Sequence, residues 1–332
     1  MMALIEHLGL TLVAAVAIVG SIAIWATVIA RISRGEELVP LEPRRPVPWT
    51  FFDLVLVMMA HVLFTGLGGV LLRDVWNIPL PAGVRELEPE QVGPVQLSYM
   101  GAVLATLVFA IALVKLRTGA TSADLGFVPG RVWYDIALGA AGFLALAAPV
   151  FALQAILVYF FPVQHPLIDL VQAQPDQWTF FVVGLSVSLV APFSEEFFLR
   201  VLVQGWLERV VALAVPGAFG SHAEQATGET APSESQIGEA EPTDNPYAAP
   251  QTTRPKADNR AELNAVRSIP IIASALIFAL LHVGQGPAPI PLFLLALGLG
   301  YLYQRTHRLW PSVVLHFLLN TSSLAMLWLE TA

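Results

Sequence analysis

The chain has 332 residues, of which 56% are hydrophobic and only 13% charged, with a mean hydropathy of +0.67. Soluble domains carry about 25% charged residues, so the composition excludes an ordinary soluble protein and predicts an all-α, polytopic transmembrane helix bundle. The net charge of −8 does not point to an acidic partner. Much of it comes from one stretch holding Glu224, Glu229, Glu234, Glu239, Glu241, Asp244, Asp258 and Glu262, and no basic stripe suited to nucleic acid accompanies it.

A helix needs about 20 apolar residues to cross the hydrocarbon of a bilayer. That rule predicts about eight spans, near residues 8–30, 50–72, 98–116, 133–161, 178–213, 268–284, 287–304 and 309–329. The first is read as a retained transmembrane helix. It carries Glu6 but no Lys or Arg at its start, and its apolar run is too long for a signal-peptide core. The fifth is too long for one membrane width, and is either a steep helix or a pair broken near Pro192. Trp49, Trp133, Trp178, Trp310 and Trp328 fall near span ends and read as interfacial anchors. His61, Asp53 and Gln154 lie in spans without a partner motif and read as core or helix-contact residues.

Basic residues alternate along the loops. Arg31, Arg34, Arg44 and Arg45 follow the first span, and Lys115, Arg117 and Arg131 the third. Arg254, Lys256, Arg260 and Arg267 follow the fifth, and Arg305 and Arg308 the seventh. The intervening loops are poorer, with Arg73 and Arg85 in one and no Lys or Arg in segment 162–177 or the turn 285–286. The positive-inside rule then puts the four basic loops in the cytoplasm and both termini outside. Residues 217–265 are rich in Ser, Ala, Glu, Gln, Thr, Pro and Asn and poor in large apolar residues. Such a stretch cannot bury enough surface to offset its ordering entropy and is predicted to be a disordered cytoplasmic linker. The organisation expected is therefore N-terminal transmembrane helices over 1–125, a functional core formed by 126–216 and 266–332, and the linker insertion between.

Three short signatures interrupt the apolar helices. They are Glu195-Glu196-Phe197-Phe198-Leu199-Arg200, Phe278-Ala279-Leu280-Leu281-His282 and His316-Phe317-Leu318-Leu319-Asn320. Ionisable groups are costly inside a bilayer and mark functional sites by default. Glu195 and Glu196, as neighbours, point about 100° apart on a helix and cannot share one task. Glu196 and Arg200 are four residues apart, acid before base, the favoured orientation for an ion pair, and burial makes such pairing necessary. Glu195 is left to face a cavity, where desolvation strengthens a carboxylate as a general base. Phe278 and His282 share a face, as do His316 and Asn320, and an imidazole beside an amide suits donation to a developing oxyanion. At 1.5 Å per residue, counted from the assumed cytoplasmic ends, His316 lies about 10 Å deep, Asn320 and Glu195 about 15 Å, and His282 about 20 Å. One site in the cytoplasmic half of the bilayer can hold all four.

Glu-Glu-x-x-x-Arg, Phe-x-x-x-His and His-x-x-x-Asn, in that order, resemble the three motifs of the CPBP (CAAX protease and bacteriocin-processing, or Abi) intramembrane proteases. The resemblance spans roughly residues 130–329 with the linker set aside; family members usually have a much shorter connection there. It implies an intramembrane endopeptidase that hydrolyses a peptide bond of a membrane-embedded or lipid-anchored protein, in a cavity open to the cytoplasm. By resemblance, Glu195 and His282 hold and activate water while His316 and Asn320 bind the tetrahedral intermediate, and the two histidines can exchange roles. Glu196, Arg200 and Phe278 are supporting residues. No cofactor is expected, although Glu195, His282 and His316 would make a His₂Glu zinc set with water as the fourth ligand.

Other chemistries lack their residues. Cysteine is absent, which removes cysteine nucleophiles and thiolate ligands. No Gly-x-Ser-x-Gly or His-Glu-x-x-His occurs, nor the Gly-x-Gly-Asp of intramembrane aspartyl proteases. Buried Glu, His and Arg also serve transporters and proton relays, but no paired repeat with matching broken helices is present. A catalytically silent scaffold or immunity protein on the same fold is the remaining alternative.

Overall fold

The computed structural model describes residues 2–78, 88–161, 177–219 and 258–331. Among these residues there is no strand, and the chain runs through eight long helices. They are α1 Met2–Ser33, α2 Phe51–Trp76, α3 Pro89–Thr118, α4 Val132–Phe160, α5 Gln177–Ala214, α6 Asp258–Leu281, α7 Pro289–Thr306 and α8 Leu309–Thr331. Seven of them are long and apolar enough to cross a membrane. The exception is α7, whose last turn holds Gln304, Arg305 and Thr306. Protein surrounds it in place of lipid: Leu295, Ala296, Leu299 and Tyr303 are wholly buried. The protein is an integral, multi-pass helix bundle.

Ends are set by local chemistry. The carboxylate of Asp53 accepts the Thr50 N–H at 2.8 Å at the start of α2, and Asn77 closes that helix in the left-handed region with φ 53°. The tight turn between α7 and α8 is made by His307 at φ 51°. Gly126, at φ 81°, lies so close to this turn that a Cβ would come within 2.8 Å of Leu309 N. Gly139 plays the corresponding part between α4 and α8, where a Cβ would meet Pro311 O at 2.6 Å and Val314 Cβ at 2.7 Å. Small residues let helices approach closely in membranes.

The arginines that mark the predicted cytoplasmic loops form ion pairs at one end of the bundle. Arg44 meets Glu208 at 2.9 Å, Arg45 meets Asp124 at 2.7 Å and Arg308 meets Asp135 at 2.6 Å. Arg117 pairs with Asp53, so Asp53 is indeed a helix contact, and His61 likewise contacts Thr106 Oγ1 at 3.2 Å. Burial works against the charged form of Asp124, yet Arg45 and the Thr121 hydrogen bonds hold its carboxyl below the usual carboxylate range. Burial, Arg44 and Arg308 hold His307 well below the ordinary imidazole value, so it is neutral.

Of the two readings of the long fifth span, the single helix holds: α5 is continuous over Gln177–Ala214, and it passes Pro192 by widening into π turns. Two expectations need correction. Trp49 is no interfacial anchor. It is fully buried and donates its indole N–H to Leu202 O at 3.0 Å, the solution buried tryptophans need. The linker is shorter at its C-terminal end than 217–265, because α6 already begins at Asp258; Ala261, Glu262, Leu263 and Ala265 are good helix formers. At its other end Ala218 and Phe219 are buried. The rest of that linker, and most of segment 162–177, lie outside the described residues.

Candidate active site

Helix α5 carries the first signature at its centre. A π turn spans Ser186–Val190, an α segment follows over Ala191–Glu196, and a second π stretch covers Phe197–Gln204. Proline lacks an N–H and clashes with the carbonyl four residues back, which a wider turn around Pro192 relieves. Such π segments recur at functional sites. Across the junction, Arg200 Nε donates to Glu196 Oε2 at 3.1 Å, and both side chains are 0% exposed. Arg200 Nη1 donates to Ser274 Oγ of α6 at 2.9 Å, and its guanidinium lies 5.6 Å from the Phe278 ring centroid.

His316 of α8 stands between the two glutamates. Its Nδ1 is 3.1 Å from Glu196 Oε1 and its Nε2 is 3.8 Å from Glu195 Oε2. A carboxylate paired with arginine can only accept, so Nδ1 carries the proton and Nε2 is the ring nitrogen turned toward Glu195. The Glu195 side chain is 33% exposed and has no charge partner closer than this imidazole among the described residues. His282 lies one residue beyond the end of α6, with Nδ1 2.8 Å from Phe278 O, which again assigns the proton to Nδ1. The Phe278 ring joins the two histidines, with centroids 4.8 Å from His282 and 5.6 Å from His316. Asn320 places Nδ2 2.9 Å from Val187 O, so one amide hydrogen is committed to backbone. Helices α5, α6 and α8 thus bring the seven residues of the three signatures to one place.

The donor chemistry is informative about metal. Both histidines hold Nδ1–H on an acceptor and leave Nε2 free, the arrangement typical of metal-ligating imidazoles. Yet among the described residues no three His, Asp or Glu side chains converge closely enough to hold an ion.

Beyond Arg200 the polar row continues. Ser274 Oγ donates to Gln204 Oε1 at 3.0 Å, Gln204 Nε2 to Glu208 Oε1 at 3.1 Å, and Arg44 Nη1 to Tyr303 OH at 2.9 Å. With the Arg44–Glu208 pair these bonds form an unbroken buried ladder from His316 to the charged end of the bundle. Its α5 members, Glu196, Arg200, Gln204 and Glu208, recur every four residues. On an α-helix that spacing overshoots a turn by about 40°, and the π stretch, with more residues per turn, keeps the row on one face. Gln204 and Glu208 were absent from the sequence-predicted set, although the four-residue recurrence was there to be read.

Residues 258–322 match the family described as type II CAAX prenyl endopeptidase, Rce1-like. Over these residues the chain is similar to that family, in keeping with the CPBP resemblance of its motifs. The match takes in Phe278, His282, His316 and Asn320 and begins after Glu195, Glu196 and Arg200, so the first signature joins this segment through geometry. No curated protein and no solved structure matches the chain.

Proposed function

We propose that the protein is an intramembrane endopeptidase acting through water activated on Glu195, with membrane-anchored or lipidated proteins, including prenylated ones, as substrates. One observation carries this reading: the two adjacent glutamates have opposite settings around a shared histidine. Glu196 is neutralised by Arg200 and His316 Nδ1, whereas Glu195 is partly open and faces His316 Nε2 at 3.8 Å. In this scheme Nε2 is unprotonated, and a water donating to both it and Glu195 sits between them. Glu195 takes its proton as the water oxygen attacks the scissile carbonyl, the tetrahedral intermediate collapses, and that proton passes to the leaving nitrogen. The hydroxyl proton of the new carboxylic acid then passes to the amine, so the products leave as a carboxylate and an ammonium group and Glu195 ends as it began. In this scheme His316 works on the water, the exchange of histidine roles that the motifs left open, and His282 flanks the site from α6.

The catalytic unit is residues 126–216 with 266–332, and the site opens to the cytoplasm, where a lipid anchor would concentrate its peptide. Reporter fusions after Glu37 and Ala240 should report cytoplasm and a fusion after Pro89 the opposite side; the reverse pattern rejects this orientation. The function is tested with a prenylated peptide ending in Cys-a-a-X, in vesicles holding the purified protein. Glu195→Gln, His282→Ala and His316→Ala should each abolish cleavage while the protein accumulates normally, and a strong chelator should leave the wild-type rate unchanged. Full cleavage by Glu195→Gln ends this mechanism, and loss of activity on chelation with rescue by zinc establishes the metal alternative.

A further inference from the structure

Val187 has a backbone carbonyl that its own helix cannot satisfy. In the π turn that it shares, the Ala191 N–H bonds Ser186 O, five residues back. The corresponding donor for Val187 O would be residue 192, which is proline and has no N–H. The Ala191 N–H is already used. A carbonyl left unpaired at membrane depth is costly, and Asn320 of α8 supplies the donor at 2.9 Å. The same turn is gripped from the other side, where Gln96 of α3 hydrogen-bonds Ser186 Oγ. The α segment that follows carries Glu195, three residues after Pro192.

We propose that Asn320 is a positioning residue: it stands in for the amide that Pro192 lacks, locks the π turn of α5, and so aims Glu195 at His316. A π turn holds one residue more than an α turn, so its loss would re-phase everything downstream by about 100°. That rotation takes Glu195 off the face of α5 that meets His316. The role differs from direct hydrogen bonding to an oxyanion, because it runs through Val187 and depends on residue 192 being proline.

That dependence is the test. Asn320→Ala is made in the wild-type and in the Pro192→Ala background, where alanine restores an N–H able to reach Val187 O. Each of the four proteins is assayed for peptide cleavage and for melting temperature in detergent. In the wild-type background Asn320→Ala should lower kcat by about 10²-fold, the scale of a misplaced catalytic group, with KM within about twofold because uniform binding is untouched. It should also lower the melting temperature. In the Pro192→Ala background the same substitution should cost less than about threefold in kcat and leave the melting temperature nearly unchanged, since distant independent sites would instead add. Equal losses in both backgrounds overturn the proposal and assign Asn320 to the intermediate directly. The kcat readout rests on the proteolytic reading above, whereas the melting temperatures do not. If no protein cleaves, or Pro192→Ala is itself inactive, additive melting shifts still overturn the proposal and non-additive shifts still support it.

Discussion

Removing either member of the Glu196–Arg200 pair should have unequal consequences, and the structure says which is worse. In Glu196→Met, Arg200 keeps only the Ser274 hydroxyl and the face of Phe278, and its Nη2 already lacks a hydrogen-bond partner. An uncompensated buried charge of this kind costs about 3–5 kcal/mol. In Arg200→Met, Glu196 retains His316 Nδ1 at 3.1 Å. A hydrogen bond to a charged group is worth about 1.5–3 kcal/mol, and an imidazole can take a second proton, so the cost falls to about 1–3 kcal/mol on the same scale. The double substitution to Met leaves no buried charge on α5 at this level, and replacing a buried pair by apolar side chains is often close to neutral. The double mutant should therefore be more stable than Glu196→Met alone by about 2 kcal/mol, more than a tenfold change in the unfolding constant. Unfolding titrations in mixed micelles, monitored by tryptophan fluorescence, measure all four proteins of the cycle. A double mutant lying at the sum of the two single losses would refute the reasoning, as would Arg200→Met proving the more damaging.

Other substitutions probe the frame around the site. Gly139→Ala puts a methyl against Pro311 O and Val314 Cβ and should destabilise by about 1–3 kcal/mol through overpacking; a melting curve matching wild type shows that α4 and α8 do not touch there. Gln204→Leu breaks the ladder between Ser274 and Glu208, and about 1–3 kcal/mol should be lost to unsatisfied buried groups; a neutral result in the same titration denies the ladder a stabilising role. Glu195→Gln should leave the melting temperature within about 1 °C of wild type, since a partly exposed side chain without a close ion partner contributes little; a large drop makes Glu195 structural.

Much of the bundle was legible because hydropathy reads burial in lipid directly. The spans near 50–72 and 309–329 coincide with α2 and α8 to within a few residues. The limits are equally physical. Helix α7 is buried in protein, so its polar last turn escapes the lipid criterion while the helix still packs. The path of α5 past Pro192 could be foreseen as a disturbance, but its form as two π stretches could not, and the first of them is held by Asn320 and Gln96, far away in sequence. Glu196–Arg200 was readable because the pair is local. Arg44–Glu208 and Arg308–Asp135 join residues far apart, and their arginines could be read only as topology markers. Trp49 was misread because nearness to a span end does not reveal whether the indole meets lipid or the Leu202 carbonyl.

The central claim is that Glu195 activates water for peptide hydrolysis on membrane-anchored proteins. Quantitative mapping of protein C-termini in membranes of cells carrying either the wild-type chain or Glu195→Gln, at equal abundance, tests it most directly. The account predicts a set of new C-termini, present with the wild type and absent with Glu195→Gln, lying next to lipidated or transmembrane segments. Indistinguishable sets would contradict it.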